Sequence, residues 1–401
     1  MGDNRMSEKL RLFLRSGMGI YSDYLDQQLS FEELSRQRKL QLQRISELRG
    51  RPILAYASDF TKQVPSSIDY SDIVPFSDQV SALYGEDVDI VLETPGGLAE
   101  VVEDLVHLLR SKFERVGVII PGTAKSAGTI FAMAADEILM GTTSALGPID
   151  AQISTQGKTF SADAFLTGLD DIRRGAERDK HLDIALIPIL QAISPGEIQH
   201  CVNAQAFSRQ LVTNWLKEYK FRYWGHHSSS GEPVTEEEKV ARAEEIAKEL
   251  CDHSKWLTHG RSIRIADLRN MRLQITDYTE NDELNDAITR YYTLLRMSFE
   301  TNIYKIYETP TSQIYRSINT GQPPQVPQPL NLPNPLMLDF ECPKCKVTSK
   351  IQINFDEEFP VPVGVMGFPK DNIFRCPSCG SDSNLLGLRQ QLEAQLHRTI
   401  V

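Results

Sequence analysis

Two groups of residues in this chain have the types and spacing for chemistry. The first is a serine set among small residues, Lys125-Ser126-Ala127-Gly128, between an apolar run at 116–120 and a helical pattern. A serine at a helix start with small neighbours has an exposed hydroxyl and free backbone N–H groups nearby, the local geometry of an acyl-transfer nucleophile. A second glycine-rich turn, Pro95-Gly96-Gly97, lies upstream between a β-type run at 89–93 and another helical pattern. The second group is four cysteines in two pairs, Cys342-Pro-Lys-Cys345 and Cys376-Pro-Ser-Cys379, separated by 30 residues. Each pair offers two thiolates from a tight turn, and together they satisfy a tetrahedral Zn²⁺. All four positions are sulfur, so the zinc is structural and leaves no place for substrate.

The elements that must hold these residues follow from hydrophobic patterning. Residues 51–58, 89–93, 116–120 and 137–140 read as strands. Residues 98–113 and the stretch after Ser126 read as helices. Strand and helix alternating at this pace imply right-handed βαβ units and a mainly parallel sheet. Residues 26–49 carry Leu34, Leu42, Ile45 and Leu48 on one face, as an amphipathic helix would. Residues 162–223 read as mostly helical, 263–278 as a helix and a last strand, and 281–307 as one long helical pattern. Six prolines between 322 and 335 mark an extended linker.

The expected organisation is therefore a helical N-terminal extension (1–50), an α/β domain (51–280), a helical extension (281–321) and a Pro-rich linker (322–337). A zinc ribbon with a C-terminal helix (338–401) ends the chain.

Composition narrows the function classes. A net charge of −11 over 401 residues argues against broad nucleic-acid or anionic-membrane binding. Residues 338–384 hold five basic and seven acidic side chains, so a partner protein suits that module better than nucleic acid. No apolar run reaches the length of a membrane span, and the first residues lack a signal-peptide core, so the expected location is cytoplasmic. The two remaining cysteines, Cys201 and Cys251, read as buried thiols rather than a disulfide framework.

Taken together, PGG, KSAGTIFAMAADEILMG and LGPIDAQ resemble the ClpP/crotonase fold. More closely, they resemble the serine dehydrogenase proteinase family, related to signal peptide peptidase A-type enzymes. The resemblance extends through ISPGEIQHCVNAQAFSRQLVTNWL and KWLTHGRSIRIADLRNMRLQITD, covering roughly 50–280. It implies a serine peptidase with Ser126 as nucleophile and the N–H groups of Gly97 and Ala127 as oxyanion donors. It also implies a homo-oligomer with polypeptide substrates.

The chain departs from its relatives at the general base. Where Clp peptidases carry a histidine on an Ile-His-Gln segment, this chain has Asp150. Where signal peptide peptidase A-type enzymes carry a lysine, it has Arg178, which cannot act as a base, with Lys180 two residues on. His259 stands where the Clp relatives place the triad aspartate. The two positions are thus expected to be exchanged, giving Ser126–His259–Asp150 with His259 as base, and Lys180 as the competing base. Lys125 is expected to point away from the serine at the helix start, as a surface or oligomer-contact charge. The other histidines, His253 and His200 among them, have no partner pattern. Two rival functions remain: a crotonase-like enzyme of acyl thioesters, which would not need Ser126, and a non-catalytic adaptor built around the zinc ribbon.

Overall fold

The computed structural model describes residues 19–155, 158–227, 230–318, 333–396 and 398–401. Residues 1–18, most of the expected linker (322–332) and His397 lie outside the described residues. The chain divides into two compact units, Met1–Ile318 and Asn319–Val401.

The larger unit is built on a seven-stranded sheet. Strands β1 (Ile53–Ser58), β2 (Asp87–Glu93), β3 (Arg115–Ile120), β4 (Glu137–Met140) and β5 (Thr276–Asp277) are parallel neighbours in that order. Strands β6 (Ile303–Glu308) and β7 (Gln313–Ser317) extend the β1 edge antiparallel, giving the order β7-β6-β1-β2-β3-β4-β5. The near-continuous apolar runs of β1 to β4 exist because both faces are covered. Leu54, Tyr56, Ile90, Leu92, Val118 and Ile120 enter one core, while Ile53, Ala55, Val91, Ile119 and Leu139 enter the other.

Helix α1 (Phe31–Arg49) is capped by Ser30, whose hydroxyl accepts from Glu33 N–H, and stops at Gly50 in the left-handed conformation. Leu34, Leu42 and Ile45 are buried as expected, whereas Leu48 stays exposed. Helices α2 (Ala99–Arg110) and α3 (Ala127–Met133) connect the central strands. Helices α4 (Ala162–Asp179), α5 (Pro195–Trp215) and α6 (Glu236–Cys251) form a helical addition before β5. Thr235 opens α6 through a capping box with Glu238.

The expected helix over 281–307 is only partly formed. Helix α7 (Asp282–Phe299) ends, and the chain returns as the β6–β7 hairpin. Ile303, Ile306 and Tyr307 fit a helical stripe, which hid the strand. Burial of the two charges on it, Lys305 against Asp72 and Glu308 against Arg38, makes the strand possible.

In the smaller unit, β8 (Leu336–Glu341) pairs antiparallel with β9 (Thr348–Ile353), and a short hairpin joins Ile373–Arg375 to Asp382–Asn384. Helix Leu386–Leu396 follows. The ribbon's first strand thus starts two residues before the expected boundary at 338.

Candidate active site

The two glycine-rich turns emerge from the C-terminal ends of β2 and β3 and are tied together. Thr94 N–H donates to Thr123 O at 2.9 Å, and Lys125 N–H donates back to Thr94 O at 3.0 Å. Gly128 N–H closes the second turn onto Lys125 O at 2.7 Å. Ser126 occupies the first central position of that turn with φ 50° and ψ −118°, a conformation that side-chain-bearing residues rarely adopt. This strained strand–turn–helix placement lifts the serine hydroxyl off the helix start.

The first turn must come very close. A Cβ on Gly96 would lie 2.7 Å from both Lys125 O and Ser126 Cβ, so only glycine fits. Gly97 runs alongside Ile68, with Ile68 N–H bonded to Gly96 O and Leu98 N–H bonded to Ile68 O. Between those bonds, the Gly97 N–H finds no acceptor among the described residues, and neither does that of Ala127 at the start of α3. Ser126, Gly97 and Ala127 line one cavity of about 410 Å³.

His259 lines the same cavity. Its Nδ1–H donates to Asp150 Oδ1 at 2.7 Å, which leaves Nε2 with a free lone pair. Asp150 is fully buried, and His259 is partly exposed. Burial alone would raise the Asp150 carboxyl, but the hydrogen bond and charge of His259 outweigh it, and the group sits below the usual carboxylate range. Backbone ladders bring the two segments together. Leu146 and Ile263 exchange both N–H···O bonds at 3.0 Å, and Ile149 N–H donates to Leu250 O at 3.0 Å. Lys180 is elsewhere: it is exposed, ends α4 and does not line this cavity.

A model of the ClpP-like SDH-type serine proteinase family matches residues 81–187, the stretch that carries both turns, Asp150 and Lys180. Over those residues the chain is similar to that family. The matched stretch has a ClpP-like fold. Two uncharacterized proteins of Methanocaldococcus jannaschii are 42% and 38% identical over 66 residues. The match spans 16% of this chain and 23% of each relative, less than a quarter of their length. A solved structure of the membrane-bound stomatin-specific protease 1510-N, in a serine-to-alanine mutant, aligns with 28% of this chain and 58% of its own. Its identity is 23% and its TM-score 0.23, a likeness too slight to carry an argument.

Within the larger unit, three residues stand where sequence reasoning did not put them. His253 Nδ1 lies 3.0 Å from Asp150 Oδ2, so the aspartate holds one histidine on each oxygen. Its backbone N–H is fixed by Asp163 at 3.1 Å. No local pattern signalled this, because the partner is 103 residues away. Lys125 does not project into solvent. Its Nζ donates to Leu146 O, Arg261 O and Ser262 Oγ at 3.0–3.1 Å, binding the serine turn to the loop that carries His259. Burial, with a smaller push from Arg264, lowers its amine to about 8. His200, on α5, contributes to the cavity wall with Phe207 and Ser208.

In the smaller unit, the sulfurs of Cys342, Cys345, Cys376 and Cys379 all lie within 4.8 Å of one another. The pairs Cys342–Cys379 and Cys345–Cys376 are 3.8 and 3.6 Å apart. Zn–S bonds of about 2.3 Å in a tetrahedron give sulfur separations of about 3.8 Å, so the four thiols fit such an ion. The Ser381 hydroxyl, 3.3 and 3.1 Å from Cys342 and Cys379, supports the thiolate form at this cluster.

Proposed function

We propose that this chain is a serine endopeptidase that hydrolyses peptides or unfolded polypeptide through an acyl-enzyme. The observation that carries this reading is that His259, held by the buried Asp150, shares a cavity with a strained serine and two amides unpaired among the described residues. Ser126 Oγ attacks the scissile carbonyl while His259 Nε2 takes its proton. Asp150 keeps the imidazole in the tautomer that leaves Nε2 free, and it stabilises the imidazolium that forms. The N–H groups of Gly97 and Ala127 receive the developing oxyanion, and the N-terminus of α3 adds its positive end. His259 then protonates the leaving amine, and water completes the cycle by the same route.

Zinc in the four-cysteine cluster is structural in this reading and supplies no chemistry to Ser126. The ribbon offers a surface to a partner protein, the chain assembles as a homo-oligomer, and it works in the cytoplasm. Among the described residues no helix is long and apolar enough to cross a membrane, which is consistent with this location.

The deciding experiment measures peptide hydrolysis by His259→Ala and Lys180→Ala, with fluorophosphonate labelling of Ser126 in the intact protein. Loss of about 10²–10⁴-fold in kcat for His259→Ala, with Lys180→Ala near wild type, is expected. The reverse pattern refutes the triad. Turnover surviving in Ser126→Ala refutes the peptidase and favours thioester chemistry, and failure to label together with no turnover favours an adaptor.

A further inference from the structure

A second cavity, of about 1140 Å³, opens at the other end of the sheet. Its wall includes Asp136, which directly precedes β4, and Leu273 and Gln274, which precede β5. It is thus at the N-terminal ends of the parallel strands, whereas Ser126 is at the C-terminal ends. Apart from Asp136, its lining falls outside the residues that match the proteinase family.

The wall is strongly cationic, in a chain of net charge −11. Lys220, Arg242, Arg269 and Arg272 line it, against the single carboxylate of Asp136. That carboxylate is already bonded to Arg110 at 2.7 Å and Val116 N–H at 2.8 Å. Arg242 is paired with Glu245. The exposed Arg269 and Arg272 have no side-chain partner among the described residues. Lys220 is part-buried, yet among the described residues its amine is hydrogen-bonded only to the Asp136 carbonyl, at 3.1 Å. Burial depresses it to about 8, with Glu137 and Asp136 opposing, so a further negative charge beside it would raise it again.

Two irregularities of the backbone deliver these charges. A π-helical turn, Leu216–Lys220, interrupts the regular end of α5 just before Phe221 and brings Lys220 to the wall. Arg272 sits at φ 61° just beyond helix Ile265–Asn270, a place that ordinarily favours glycine. Trp224 completes the wall, held between Phe221 and His227 with ring centres 5.4 and 5.5 Å away.

We propose that this pocket binds a small oligophosphate, either free or carried by a nucleoside. Unpaired cations on a concave wall focus positive potential, and guanidinium forks suit phosphate oxygens. A cavity of this size encloses a small molecule, whereas an acidic peptide would need an extended groove. The proposal does not depend on the activity at Ser126.

The test is calorimetry on the full-length chain with pyrophosphate, ADP and an oligoglutamate peptide, repeated with Arg269→Ala/Arg272→Ala. Binding of pyrophosphate or ADP with Kd below about 1 mM, weakened about tenfold or more in the double variant, is expected; tenfold matches loss of one charge-assisted contact. ADP well ahead of pyrophosphate identifies a nucleoside carrier, and equal affinities identify the phosphates alone. No binding of either, unchanged affinity in the double variant, or equal binding of oligoglutamate overturns the proposal. So does a change of oligomer size in the double variant, since it would make the pocket a contact between subunits.

Discussion

The strain at Ser126 can be measured by comparing two substitutions that both abolish the hydroxyl. Ser126→Ala keeps a Cβ at φ 50°, ψ −118°, and Ser126→Gly removes it. Holding a Cβ in such a region costs on the order of 1–3 kcal/mol. Glycine escapes that cost but loses about 0.5–1 kcal/mol relative to alanine through the freedom of the unfolded chain. The net expectation is that Ser126→Gly is more stable than Ser126→Ala by about 1 kcal/mol, the opposite of the order at an ordinary position. Urea unfolding followed by tryptophan fluorescence suits the measurement, because Trp215, Trp224 and Trp256 all lie in the larger unit. If alanine proves equal or better, residue 126 is not strained, and the argument from backbone geometry to nucleophile fails. Both variants should be inactive in peptide hydrolysis.

Four further outcomes follow from the same geometry. Glu93 is fully buried, and that burial raises its carboxyl to about 7 despite bonds from Thr123 N–H and Tyr292. The folded state therefore keeps a proton that the unfolded chain releases near 4.5, and stability falls as pH rises from about 4.5 to 7. Glu93→Gln should remove that fall and gain about 3 kcal/mol on wild type at pH 8 relative to pH 4.5, read from urea midpoints across pH; a pH-independent difference refutes it. Lys125→Met cuts three hydrogen bonds between the serine turn and the His259 loop. It should lower kcat about tenfold or more with KM little changed, and a pure KM effect would show that Lys125 does not position the turn. His253→Ala frees one oxygen of Asp150 and should cost about tenfold in kcat, while an unchanged rate would make the second histidine a bystander. Chelation of the metal, or Cys345→Ser, should expose 319–401 to proteolysis and leave the larger unit folded; unaltered protection would mean that the ribbon does not need an ion.

The parallel sheet was legible because residues 116–120 form an apolar run that only a doubly covered strand would carry. The clustering of the four cysteines was legible because two C-x-x-C pairs at this spacing read as one four-thiol site. Strand β6 was not, since its apolar residues also satisfy a helical period and its two charges find partners 233 and 270 residues away. The same distance problem hid His253, whose meaning depends wholly on Asp150. The anchoring of Lys125 is hidden for a related reason. Next to a helix start it looks like a solvated charge, and only folding brings the acceptors at 146, 261 and 262 around it. Gly96 was noticed as a turn former, but its need to lie against Ser126 appears only when both turns are in place.

The backbone bonds joining Thr94 to Thr123 and Lys125 weld the turn of Ser126, the proposed nucleophile, and the turn of Gly97 into one stiff clamp. Thermal agitation or a bulky guest can shift that clamp only as a whole, so bond-breaking competence should vanish abruptly rather than decay by degrees. Inhibitors that wedge beneath Gly96 would exploit the same brittleness without touching the serine.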